Sequence, residues 1–378
     1  MDNAEEMRFE QNRIIQLMEA IRDRNHADFL FLTRSSYLLN AYEKEAGLTV
    51  LHTAATNFNE PQSGFVEQLL DKGANINLQT REEGFTALHM AVCVCHVRMI
   101  RYLIDKGADL TLTNNKNVSV LHTLVKAKTI PHAPSSLFRE LIKLNFEELG
   151  AYNLDQHLDL VKTFIHKGVD VNAQDNAANT ALYYAVERGN ADIVNLLIDS
   201  GADIEKPNQK GNTPLLVAAE KGHVEVYRLL VDRGAKVDVI NQNGHSALLI
   251  AVEHRRIEVC RLLLSGGADK EKLRAPRALL HAADAGYTDI VHLLIDSGMN
   301  IVLCNENGYT PLVLAAKKGH TEVCRLLLKT VAYKKYIKCQ YLLHHAAGAG
   351  YTDIVRLLVD SGVDIDGLDE KGRTPLFL

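Results

Sequence analysis

The hydrophobic pattern along the chain is short-range and helical. In the stretch Val224–Asp232, the apolar residues Val226, Leu229 and Leu230 stand at i, i+3 and i+4. That spacing puts them on one side of a helix of 3.6 residues per turn. Ahead of it runs Asn212-Thr213-Pro214-Leu215-Leu216-Val217-Ala218-Ala219-Glu220-Lys221-Gly222. Thr213 suits a helix cap and Pro214 the first helical position, where a missing N–H costs nothing. Gly222 and Gly234 supply the left-handed conformation that ends a helix. Glu225 sits where a carboxylate complements the positive end of the second helix. Lys236 to Gln242 reads as an extended, turn-forming link. The pattern predicts a unit of helix, turn, helix and hairpin-like loop.

This unit repeats. Gly168, Gly201, Gly234 and Gly267 follow one another at 33 residues, and Thr180, Thr213 and Ser246 keep the same step in a second register. Gly286-Tyr287-Thr288-Asp289-Ile290-Val291 recurs 64 residues later from Gly350. Nine first helices are expected, starting near Thr49, Thr86, Ser119, Thr180, Thr213, Ser246, Arg277, Thr310 and Tyr341. None can bury its apolar face alone, so neighbours must stack. The expected organisation is a capping region over 1–43, with a polar helix from about Glu5 ahead of a degenerate first repeat made of Leu17–Asn25 and the apolar residues Phe29, Leu30 and Leu32. An array over 44–366 and a partial tenth unit over 367–378 follow. That tenth unit stops about one turn into its first helix. It reads as a truncated repeat, with Leu376 and Phe377 exposed or only lightly docked on the ninth unit. Gly107 to Gly168 spans 61 residues in place of 33. The insertion, about 126–157, has three readings: a helix at Leu137–Leu149 that folds back over its own unit, the same helix as a partner-docking element, or a disordered segment. A smaller insertion lies near Asn57–Gly64.

Composition narrows the function. A net charge of −5 and a pI near 6.3 speak against nucleic acid as a partner. No stretch of about 18 apolar residues exists to cross a bilayer, and the acidic start lacks the apolar core of a signal peptide. Six scattered cysteines, among them Cys339, suit a reducing, cytoplasmic setting. Cys93-Val94-Cys95 lacks the second pair that zinc would need. His52, His89 and His122 share one slot, to which His281 and His345 are also assigned; His223 and His320 share another. One per unit, they are a repeat apart and read as hydrogen bonding within each repeat. Asp192, Glu225, Glu258, Asp289, Glu322 and Asp353 recur the same way and read as helix-start carboxylates. No phosphate loop, dinucleotide fingerprint or nucleophile elbow is present. We therefore expect no catalytic residue, no metal and no cofactor.

Thr-Pro-Leu…Ala-Ala…Gly-His…Glu-Val…Leu-Leu, best seen at Gly211–Asp238 and Gly308–Leu328, resembles the ankyrin repeat. The resemblance implies an all-α ankyrin-repeat solenoid. It also implies a non-catalytic scaffold or adaptor that binds a protein partner on its concave face as a monomeric array. The positions that usually contact partners in this family fall on Phe85, Asn179, Glu187, Arg188, Gln209, Lys210, Asn212, Glu220, Lys221, Gln242, His245, Glu253, His254, Tyr309, Lys317 and Lys318. Phe85 and Tyr309 would be exposed aromatic anchors. Basic clusters at His254-Arg255-Arg256, Lys317-Lys318 and Lys334-Lys335 read as solvated faces or as docking patches for an acidic peptide or a lipid headgroup. Asn77 and Asn172 occupy a slot that is hydroxylated in some family members. Two other classes stay open: a repeat segment of a larger protein (channel, toxin, ligase subunit or kinase), or a host-targeted effector of a parasite or symbiont.

Overall fold

The computed structural model describes residues 3–57, 64–126, 154–265, 275–330, 342–369 and 371–378. The expected helix at 137–149, the small insertion near 57–64 except its two ends, Cys339 and Lys334-Lys335 lie outside them. The chain divides into two compact units, Met1–Asp203 and Ile204–Leu378. Among the described residues all regular structure is helical, and two isolated bridges, Thr113–Ser119 and Ile240–Ser246, are the β pairings.

The first unit opens with helices Asn3–Arg22 and His26–Leu32 and a 3-10 turn, Ser36–Asn40. Four helix pairs follow: Val50–Ala55 with Phe65–Asp71, Ala87–Cys93 with Val97–Asp105, Val120–Lys126 with Leu154–His166, and Ala181–Arg188 with Ala191–Asp199. The second unit holds five: Pro214–Lys221 with Val224–Asp232, Ala247–Glu253 with Ile257–Ser265, Ala275–Asp284 with Thr288–Asp296, Pro311–Lys317 with Thr321–Lys329, and Leu342–Gly348 with Thr352–Asp360. It closes in a 3-10 turn, Pro375–Phe377. Inside each unit the first helices of successive pairs pack on one another in file.

Three expectations change. The N-terminus is one 20-residue helix and not two elements. Ile14, Leu17, Met18 and Ile21 make one buried stripe at helical spacing along it, facing helix Val50–Ala55. The seventh first helix starts at Ala275, two residues before Arg277, because Pro276 is well suited to a first turn. In Val224–Asp232 the buried residues are Val226, Tyr227 and Leu230, while Leu229 is half-buried. As expected, Leu376 and Phe377 stand open to solvent, 97% and 74% exposed.

The histidines bond within their own repeat, as expected, and also to the next one. Nδ1 of His52 accepts the backbone N–H of Thr49 at 3.1 Å and lies 2.8 Å from its hydroxyl, and Nε2 reaches the carbonyl of Phe85 in the next pair at 2.9 Å. His89 and His122 repeat this toward Val118 and Asn179, at 3.3 and 3.1 Å. In the ninth pair the same bond, 2.9 Å to the carbonyl of Arg373, comes from His344, while His345 is exposed. The slot therefore belongs to His344, three residues beyond the position of Tyr341, as His89 is three beyond Thr86. At the other end of the first helices, Asn57, Arg188, Arg256 and His320 donate to the carbonyls of Ile21, Lys126, Glu220 and Asp284. Each satisfies an orphan carbonyl at the end of the preceding first helix.

These bonds predict an acid response. Burial holds His52 and His89 down at about 4, from an ordinary 6.5. The unfolded chain takes up protons near 6.5 and the folded chain only near 4. Stability is therefore full above 6.5 and falls as pH drops toward 4, by roughly 3 kcal/mol per histidine. Leu216 and Leu249 fill this slot in the pairs at Thr213 and Ser246 and carry no such liability. Between pH 7 and pH 5, amide protection should fall over residues 49–126 before it falls over 213–253; simultaneous loss would refute this.

Gly211 gives a second test. Its φ is +74°, and a Cβ there would lie 2.8 Å from the backbone nitrogen of Gln242. Gly201 has φ +89° with open space around it. Gly201→Ala should cost about 1–2 kcal/mol from φ alone. Gly211→Ala should cost clearly more, read as the lower denaturation midpoint of the two; equal midpoints would contradict the close contact.

Candidate functional site

The candidate site is the row of loop tips and first helices. One acceptor side chain builds each described tip. Oδ1 of Asn208 accepts the N–H of Lys210 and of Asn212 at 2.9 and 3.1 Å. Asn114, Asp175, Asn241, Asn305 and Asp369 do the same for the residues two and four further on. Backbone bonds then stitch tip to tip, as from Gln242 N–H to Lys210 O at 3.2 Å and from Asn115 N–H to Glu83 O at 2.9 Å. The Asn or Asp slot was readable at the 33-residue step from Asp175 to Asn208 to Asn241. Its role as acceptor was not part of the sequence reading. Asn77 and Asn172 are likewise acceptors, for the N–H of Asp109 and Asp203 at 2.8 Å each.

Of the sixteen expected contact residues, Gln209, Lys210, Gln242, His254 and Lys318 are exposed. Asn179, Glu187, Arg188, Asn212, Glu220, Lys221, His245, Glu253, Tyr309 and Lys317 are half-buried. Phe85 is not an exposed anchor: it is 8% exposed. It floors a shallow hollow with Leu48 and Met90, whose rim carries Glu82 and Glu83. Burial raises the Glu83 carboxyl above its ordinary range, opposed by Lys116 and aided by Glu82.

Several half-buried members are tied into local structure. The guanidinium of Arg188 donates to the carbonyl of Lys126. Lys126 lies 3.9 Å from the centroid of the Tyr184 ring, and burial lowers its ammonium despite nearby Asp175 and Glu187. The Tyr184 hydroxyl donates to buried Asp175. Asn212 accepts from Asn241 in the next tip at 2.9 Å. Glu220 pairs with Lys221 at 3.1 Å and Glu253 with His245 at 3.3 Å. Lys317 lies 4.2 Å over the Tyr309 ring. His254 is on the rim, its Nδ1 turned to the Ile250 carbonyl at 3.0 Å.

The chemistry of the described residues is quiet. Burial pushes the thiols of Cys93, Cys260 and Cys324 up to about 12 and that of Cys95 to about 11, which keeps them protonated and poorly nucleophilic at neutral pH. Among the described residues, no group of three or more His, Cys, Asp and Glu side chains is placed to hold a metal ion, and no helix is long and apolar enough to cross a membrane.

Comparison with known proteins agrees with this architecture. The family model described as ankyrin repeats (3 copies) matches residues 17–123, 149–241, 201–274 and 271–339, and the one described as ankyrin repeats (many copies) matches 343–378. The transient receptor potential cation channel subfamily A member 1 homolog of Caenorhabditis elegans is 36% identical over 98 residues, which is 26% of this chain and 8% of that protein. The nuclear factor NF-kappa-B p105 subunit of Gallus gallus is 30% identical over 165 residues, 40% of this chain and 17% of that protein. The match thus spans less than a fifth of either relative's length. The solved human ASB11 ankyrin repeat domain superposes with a TM-score of 0.51 at 24% identity, covering 65% of this chain and 97% of that domain, a likeness of fold. With these models matching most of its length, the all-α chain belongs to the ankyrin-repeat family.

Proposed function

We propose that the chain is a non-catalytic binding module, a scaffold or adaptor that holds a protein partner on its loop tips and first helices. The observation that carries this is the tip construction: Asn or Asp acceptors and tip-to-tip backbone bonds hold Gln209, Lys210 and Gln242 outward on fixed backbone. A surface ordered in advance loses little entropy on binding. The organisation that fits this reading is a cap over 1–43, a repeat array over 44–366 and a partial repeat over 367–378. A second reading, a repeat segment acting inside a larger protein, draws support from the small share of each relative that the match covers.

Selection from a displayed library of random peptides tests the site. Bound peptide should protect amides at 208–212 and 241–245. Lys210→Glu with Gln242→Arg should abolish capture while changing stability by under about 0.5 kcal/mol per site. The opposite-face pair Arg261→Glu with Arg325→Glu should leave capture intact. Binders that survive the tip variant and fail with the opposite-face variant would move the site off the tips.

A further inference from the structure

Four of the five first helices of the second unit carry one charged position in register, seven residues beyond the cap. It is Glu220 after Thr213, Glu253 after Ser246, Asp284 in the next pair, and then Lys317 after Thr310. The sign reverses at Lys317 and the reversal is doubled by Lys318, which is exposed. Glu220 and Glu253 already have side-chain partners, the Lys221 ammonium at 3.1 Å and the His245 ring at 3.3 Å. Among the described ion pairs, Lys317 and Lys318 have no carboxylate partner, and Glu306 on the same tip pairs with neither. Lys317 is held 4.2 Å over the half-buried Tyr309 ring. One pair further on, the His345 imidazole is pushed below its ordinary range, first by burial and then by the charge of Lys317 and by His344.

Resting on the reading that the tip and first-helix face binds protein, we propose that Tyr309, Lys317 and Lys318 form a cationic, aromatic platform that docks an acidic segment of a partner polypeptide. Carboxylates of that segment pair with the two ammonium groups while Lys317 stays stacked on the Tyr309 ring. Stacking on the ring restricts Lys317 in advance, so binding orders fewer rotamers there. A basic segment is excluded by like charge at this step of the array. The occupant is a short peptide and not a membrane or a nucleic acid, because the whole chain carries −5. That net charge opposes an extended polyanionic surface, whereas a short segment meets chiefly the local field within a Debye length of about 8–10 Å.

Fluorescence anisotropy on the full chain tests this with a labelled Glu-rich peptide, its Lys-rich counterpart and vesicles containing phosphatidylserine. The Glu-rich peptide should bind at least about tenfold tighter than the Lys-rich one, and Lys317→Glu with Lys318→Glu should weaken it about tenfold. The opposite-face pair Arg261→Gln with Arg325→Gln should not change it. If the reversed variant melts early, Lys317→Gln with Lys318→Gln should still weaken binding severalfold. Equal affinity in both lysine variants, no binding of the Glu-rich peptide, or binding of vesicles in its place would overturn the proposal. Library binders that protect the tips without acidic preference would refute this platform and leave the general site standing.

Discussion

A buried backbone carbonyl between repeats must find a donor, and most of this architecture follows from how it is found. In the pairs that begin at Thr49, Thr86 and Ser119, a neutral histidine ring accepts from its own cap with Nδ1 and donates to the next tip with Nε2. The bond is directional, so it sets register as well as cohesion between neighbours. Leu216, Leu249 and Val313 hold that slot in three pairs of the second unit and leave it there to apolar packing, while His344 keeps the polar form in the last pair. The Thr213 hydroxyl, which faces Leu216 in place of a ring nitrogen, is buried without a partner. Polar and apolar solutions to the same stacking problem thus coexist in one chain.

The tips depend on a second donor–acceptor rule. Asn208, Asn241 and Asn305 each hold two N–H groups two and four residues ahead, and the backbone returns on itself between the same residues. The glycine before each tip's end then takes a left-handed conformation, as Gly211 and Gly244 do. Gly211 has the further duty of letting the next tip approach to backbone contact. A rigid tip gives the outward side chains their value for recognition, since their backbone costs nothing further to order.

Local charge use divides the candidate face into structural and available groups. Arg188 closes the end of helix Val120–Lys126, and Lys126 lies over Tyr184, so both are already engaged. Lys317 shares the stacked arrangement but stands beside Lys318, which has no such engagement among the described residues. The two aromatic residues that precede a cap, Phe85 and Tyr309, show how context splits one slot. Leu48 and Met90 enclose Phe85, whereas the Tyr309 ring stays half-open under an ammonium group.

The repeat length, the helix pairs and their caps were legible in the amino-acid order. Glycine, proline and threonine act on the backbone locally, and one rule written many times outweighs any single ambiguity. The cap positions Thr86, Thr180, Ser246 and Thr310 fall where the sequence places them, each accepting from the N–H three residues on. What only the tertiary structure decided is which side chains remain free to meet a partner. Phe85, Arg188 and His344 differ from their neighbours through contacts made with residues about a repeat or more away. Such contacts depend on where the neighbouring repeat places its carbonyls and side chains, and leave no trace in the local pattern.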